Sequence, residues 1–115
     1  MRKIFLVLAL ALSFSLAACT SGSSFDDSKN ITVYTRDTTS GTRAGFMEGI
    51  GFSAAAGSDD VLVEGFVIKD NTGIMTSMGT DEYGIGYVSV SSLNNTIKGL
   101  SFEGVAPTVA NVLNN

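Results

Sequence analysis

A six-residue run, Ile31-Thr32-Val33-Tyr34-Thr35-Arg36, passes through the polar turn Asp37-Thr38-Thr39 into a helix start at Ser40, and this succession constrains the fold more than any other feature of the chain. The run alternates and is dense in β-branched and aromatic residues, which predicts a strand. Ser40 is a good N-cap, and Phe46, Met47 and Ile50 fall at helical spacing on one face. Gly45 and Gly49 weaken that helix by about 1 kcal/mol each relative to alanine.

The pattern then repeats in kind. Gly51 to Asp60 reads as a loop, and Val61 to Ile68 as a strand made irregular by Glu64 and Gly65. Asp70 or Asn71 caps a second helix, with Ile74, Met75 and Met78 turned inward as core filler. Gly84 to Ser89 is a short strand whose glycines permit close backbone approach. Asn94-Asn95 marks a turn, Ile97 to Phe102 a further strand, and Pro107 the first turn of a last helix reaching Leu113. Strands alternating with short helices predict an α/β layered lobe with a mostly parallel or mixed sheet. At about 85 residues such a lobe has marginal stability on its own.

Residues 1–18 stand apart. Arg2 and Lys3 head an apolar stretch from Ile4 to Leu16, and Leu16-Ala17-Ala18-Cys19 follows. A basic head, a short apolar stretch and a small-residue site predict an export signal. The last four residues resemble the lipobox of bacterial lipoproteins, which implies cleavage before Cys19 and a lipid on its sulfur. Cys19 is the only cysteine, so no internal disulfide is expected. Thr20 to Asn30, polar and rich in Ser and Asp, reads as a flexible tether, with residues 19–30 leading from the lipid to a lobe at 31–115. Loss of Arg2 and Lys3 takes the net charge from −4 to −6, which argues against nucleic acid as a partner. An anion bound by such a chain must be held by local donors.

The segment Arg36 to Arg43, RDTTSGTR, offers such donors. A helix start presents unpaired N–H groups and the positive end of the helix dipole. Ser40 and Thr42 add hydroxyls, Gly41 allows close approach, and Arg36 offers a planar fork to two oxygens. From local chemistry alone, the same residues also read as an ordinary cap beside a solvated arginine.

RDTTSGTR resembles the segment of the phosphate-binding proteins of ABC-type phosphate importers in which an arginine is followed, four residues on, by Ser-Gly-Thr. Gly84-Ile85-Gly86-Tyr87-Val88-Ser89 with Ser92-Leu93-Asn94, and Phe102-Glu103-Gly104-Val105 with Pro107-Thr108, are similar to later stretches of the same proteins, in the same order. The resemblance implies one lobe of a type 2 periplasmic-binding-protein-like fold, three layers thick. It also implies inorganic phosphate as ligand, held by Arg36, Ser40, Gly41 and Thr42. Arg43 belongs to the motif, either facing solvent or carrying a salt bridge along its helix. Asp37 either orients Arg36 or is a turn residue. Thr39 stands where relatives often have glycine, and a positive φ there would strain it. The partners implied are the importer's permease subunits, the membrane through the lipid on Cys19, and a second lobe. The chain fits a truncated gene, a fragment or a half-protein equally.

Nothing in the sequence points to catalysis. Histidine is absent, and a Ser40 nucleophile would need a base, for which Lys69 is the only lysine in the middle of the fold. Asp59-Asp60 and Asp81-Glu82 lack the spacing of a calcium loop, so no metal and no cofactor is expected. The alternative to a binding protein is a surface lipoprotein that associates with another protein through an uncovered apolar face and does not bind phosphate.

Overall fold

The computed structural model describes residues 25–114. The expected export signal, Cys19 and the first part of the tether lie outside the described residues. In chain order the elements are β1 (Thr32–Thr35), α1 (Gly41–Gly49), a 3-10 turn (Ser53–Ala55), β2 (Val67–Ile68), α2 (Asn71–Met78), β3 (Gly84–Gly86), a second 3-10 turn (Val90–Ser92) and α3 (Val109–Leu113). The sheet is three-stranded and wholly parallel, in the order β2-β1-β3. The chain is therefore a small α/β domain, and the mixed alternative falls away. Parallel neighbours cannot be joined by tight turns, and here each crossover carries a helix.

β1 lies in the middle because it alone pairs on both sides, Tyr34 opposite Val67 and Gly86, and Val33 opposite Ile85. Its alternate residues meet different neighbours. A Cβ at Gly86 would stand 3.1 Å from Tyr34 Cβ and 3.3 Å from Ile74, and one at Gly84 would stand 2.9 Å from Met78 and 3.0 Å from the Tyr34 ring. These two glycines therefore let Tyr34 and α2 pack tightly against β3. Thr35, fully buried, instead shares a 2.7 Å hydrogen bond with the hydroxyl of Tyr87. The Tyr87 ring stacks on Phe46 of α1, centroids 4.1 Å apart.

The helix ends follow their local chemistry. Ser40 caps α1 by accepting the Arg43 N–H, and Asp70 caps α2 by accepting the Gly73 N–H at 2.7 Å. Asp70 rather than Asn71 is thus the second cap. α1 stops at Gly51, whose φ of +78° suits glycine, with Phe52 N–H bonding back to Met47 and Gly51 N–H to Glu48.

Four expectations need correction. The strand expected over Val61–Ile68 is only Val67–Ile68, because Gly65 takes a φ of +99° and residues 61–65 turn. No strand forms over Ile97–Phe102. Phe102 and Val105 instead close a tight turn on each other around Glu103 and Gly104, both at positive φ. Pro107 precedes the last helix, which Thr108 caps. The buried face of α1 is Arg43 with Met47, at i and i+4, while Phe46 and Ile50 stay partly exposed.

The core is correspondingly small, with Tyr34, Met47, Ala55 and Ile74 the buried apolar residues among those described. Phe25 and Asp26, read from the sequence as part of the tether, touch the domain: the Phe25 ring lies 5.1 Å from that of Tyr83, whose hydroxyl accepts the Asp26 N–H.

Candidate oxyanion site

The carboxyl ends of the three strands lead into Arg36, Lys69 and Tyr87. Because the sheet order is β2-β1-β3, the crossover after β1 runs to one side of it and the crossover after β2 to the other, and a crevice at such a point is where open parallel sheets hold ligands. α1 starts there. Its ladder of hydrogen bonds begins with Ala44 N–H to Ser40 O, which leaves the Gly41 and Thr42 N–H groups ahead of it. A Cβ at Gly41 would meet nothing within 4 Å, so this helix start is open.

The two arginines of RDTTSGTR have opposite fates. Arg43 is fully buried, and each nitrogen of its guanidinium is bonded. Its Nε donates to Ala55 O at 2.7 Å, Nη1 to Arg36 O at 2.9 Å and Asp59 Oδ1 at 2.6 Å, and Nη2 to Ser58 O at 2.8 Å. It neither faces solvent nor bridges along its own helix. It is instead a structural post around which the 51–60 loop is wrapped. The reason lies in its register: one helical turn before Met47, it points inward, where only a charge with a full set of acceptors is tolerated.

Arg36 is the other case. Its Nη1 donates to the amide oxygen of Asn71 at 2.6 Å, and its Nε is buried with no partner. Among the described residues Arg43–Asp59 is the one ion pair, so no carboxylate neutralises Arg36. Asp37 does not orient it. Asp37 is a turn residue whose Oδ1 accepts both the N–H and the hydroxyl of Thr39. Those bonds hold its carboxyl below the ordinary range, with Arg36 the smallest contribution. Thr39 does not have a positive φ and is unstrained.

Two residues that the sequence did not mark as site residues complete the cluster. Asn71, the first residue of α2, and Ser89, just after β3, are linked by Ser89 N–H to Asn71 Oδ1 at 3.2 Å and Asn71 Nδ2 to Ser89 Oγ at 3.3 Å. Ser89 Oγ lies 2.9 Å from Thr42 Oγ1. Of the six residues marked in advance, Arg36 and Thr42 are thus tied together through Asn71 and Ser89. Ser40 and Gly41 stand at the adjoining helix start, while Asp37 serves the turn and Arg43 the core. The signal that would have found Asn71 and Ser89 is their place just beyond the second and third strands.

Fold and site together define an α/β domain with a cluster of hydrogen-bond donors and an uncompensated arginine at the carboxyl ends of a parallel sheet. The comparisons agree with that class. Proteins of Streptococcus pneumoniae (serotype 4 strain) and Streptococcus agalactiae (serotype V strain), each named Phosphate-binding protein PstS 2, are 32% and 31% identical to it. The alignments cover 97% and 84% of this chain, but 41% and 34% of the relatives. The chain is a partial homologue of these phosphate-binding proteins and spans about two-fifths of their length or less. No family model matches it, and no solved structure does.

Proposed function

We propose that the chain is the arginine-bearing part of an extracytoplasmic solute-binding lipoprotein that takes inorganic phosphate for an ABC importer. The observation that carries this reading is the contrast between the two arginines. A guanidinium that is partly desolvated, bound only to a neutral amide and lacking a carboxylate is a site for an external anion. Arg36, the Ser40 and Thr42 hydroxyls and the Gly41 and Thr42 N–H groups would hold the oxyanion, with no covalent chemistry. On this reading the domain is one three-layer lobe of a type 2 periplasmic-binding-protein-like fold, working with a second lobe and permease subunits and anchored through Cys19. No helix among the described residues is long and apolar enough to cross a membrane.

The test is an amide NMR titration of the full chain in detergent micelles with phosphate and, separately, sulfate. Saturable shifts at Gly41 and Thr42 that vanish in Arg36→Ala support the reading. Dispersed spectra that respond to neither anion refute it.

A second reading is favoured by the apolar side chains left in water, among them Leu100, Phe102, Val112 and Leu113, each more than half exposed. In it the chain associates with another protein and ignores phosphate. Concentration-dependent sedimentation without any anion response would select it.

A further inference from the structure

We propose that Asn71 and Ser89 are positioning residues that aim the Thr42 hydroxyl at the ligand and make this side of the site purely donating. The inference rests on the oxyanion reading above and adds to it two residues and a direction for each proton.

The directions follow from which atoms can accept. Arg36 Nη1 and the Ser89 backbone N–H can only donate, and both point at the same side-chain atom of Asn71, at 2.6 and 3.2 Å. That atom is therefore the amide oxygen, and the atom facing Ser89 Oγ at 3.3 Å is the NH2 group. Ser89 Oγ accepts that bond and has one proton of its own to place. Among the described residues its remaining hydrogen-bond neighbour is Thr42 Oγ1, at 2.9 Å. Once Thr42 accepts there, its own proton turns to the open helix start, beside the Gly41 and Thr42 N–H groups. The relay runs Asn71 to Ser89 to Thr42, and the same amide oxygen holds the Arg36 fork.

Every group presented is then a donor, so this side takes unprotonated oxygens of a tetrahedral oxyanion. With its protons turned to the ligand it favours the unprotonated oxygens that phosphate and sulfate share, and so it does not by itself separate the two anions.

A double-mutant cycle on the full chain in detergent micelles, titrated with phosphate and with sulfate, tests the relay. Ser89→Ala is expected to weaken both anions by roughly three- to tenfold, the size of one neutral hydrogen bond. Ser89→Thr, which keeps the hydroxyl, restores binding. In a Thr42→Val background, Ser89→Ala has no further effect. Equal losses from Ser89→Ala in both backgrounds, or no loss in either, would overturn the relay while leaving the oxyanion reading intact. A folded wild-type chain that binds neither anion would overturn both.

Discussion

The guanidinium of Arg43 and the carboxylate of Asp59 meet at 2.6 Å, the first fully buried and the second about half in water. Arg43→Ala would strand three carbonyls and a carboxylate around an empty space, at a cost of roughly 3–5 kcal/mol. Arg43→Lys should rescue little, since a point ammonium cannot serve four acceptors lying in different directions. Asp59→Asn keeps an acceptor oxygen for Nη1 and removes only the counter-charge, at the exposed end, and should cost less than Arg43→Ala. Thermal unfolding monitored by circular dichroism checks all three, and equal losses at Arg43 and Asp59 would show that the pair itself, and not the carbonyl cage, holds the loop.

Arg36→Ala should behave in the opposite way. It removes no ion pair and is expected to leave the melting temperature nearly unchanged. Loss of charged hydrogen bonds to the anion, roughly 1.5–3 kcal/mol, should weaken phosphate binding by about ten- to a hundredfold. Titration calorimetry beside a thermal melt separates the two arginines. A melt lowered as far as that of Arg43→Ala would make Arg36 a structural residue.

Gly41→Ala tests whether the open helix start is where the ligand sits. A methyl there meets nothing within 4 Å, and alanine favours helix over glycine, so the fold should be as stable or slightly more so. Phosphate binding should nevertheless fall, because the methyl stands in the anion's approach. Gly86→Ala is expected to reverse this pattern: its methyl would lie 3.1 and 3.2 Å from Tyr34 Cβ and O, costing about 1–3 kcal/mol. Unchanged affinity in Gly41→Ala would move the site away from the start of α1.

Acid should loosen the sheet. The Tyr34 hydroxyl donates to Asp81 Oδ2 at 2.8 Å, and that bond, more than any other contact, holds the Asp81 carboxyl below its ordinary range. A carboxylate with a folded-state pKa below its unfolded one adds stability above the unfolded pKa, and that stability is lost as pH falls through the folded value. The loss should therefore begin below about pH 4, where unfolded aspartate titrates. Asp81→Asn should flatten the acid limb of a melting-temperature profile between about pH 5 and pH 2. An unaltered limb would mean that other carboxylates, such as Asp37, dominate it.

The sequence was most legible where local rules act alone. The Ser40 cap, the strand before it and the Gly84–Gly86 strand all form close to where composition and spacing placed them. Arg43 was not legible, since a basic residue in a polar motif reads as solvated until the 51–60 loop is seen to bring it two carbonyls and Asp59, beside the carbonyl of Arg36. The apolar run at 61–68 misled because it carries strand-forming side chains, while Gly65 turns the backbone out of register. Asn71 and Ser89 lie 35 and 53 residues from Arg36 in sequence, and no spacing rule connects them. The sheet order does.

That order also says when in folding a ligand could first be recognised. β2 and β3 do not pair with each other, so each must find the four residues of β1 across a long stretch of chain. Closing such distant pairings is slow, because chain entropy is lost before any contact compensates it. A free peptide of residues 36–43 should thus be blind to oxyanions. Recognition arises only after both crossovers have closed, and whatever then binds at Arg36 reinforces the entire domain by mass action.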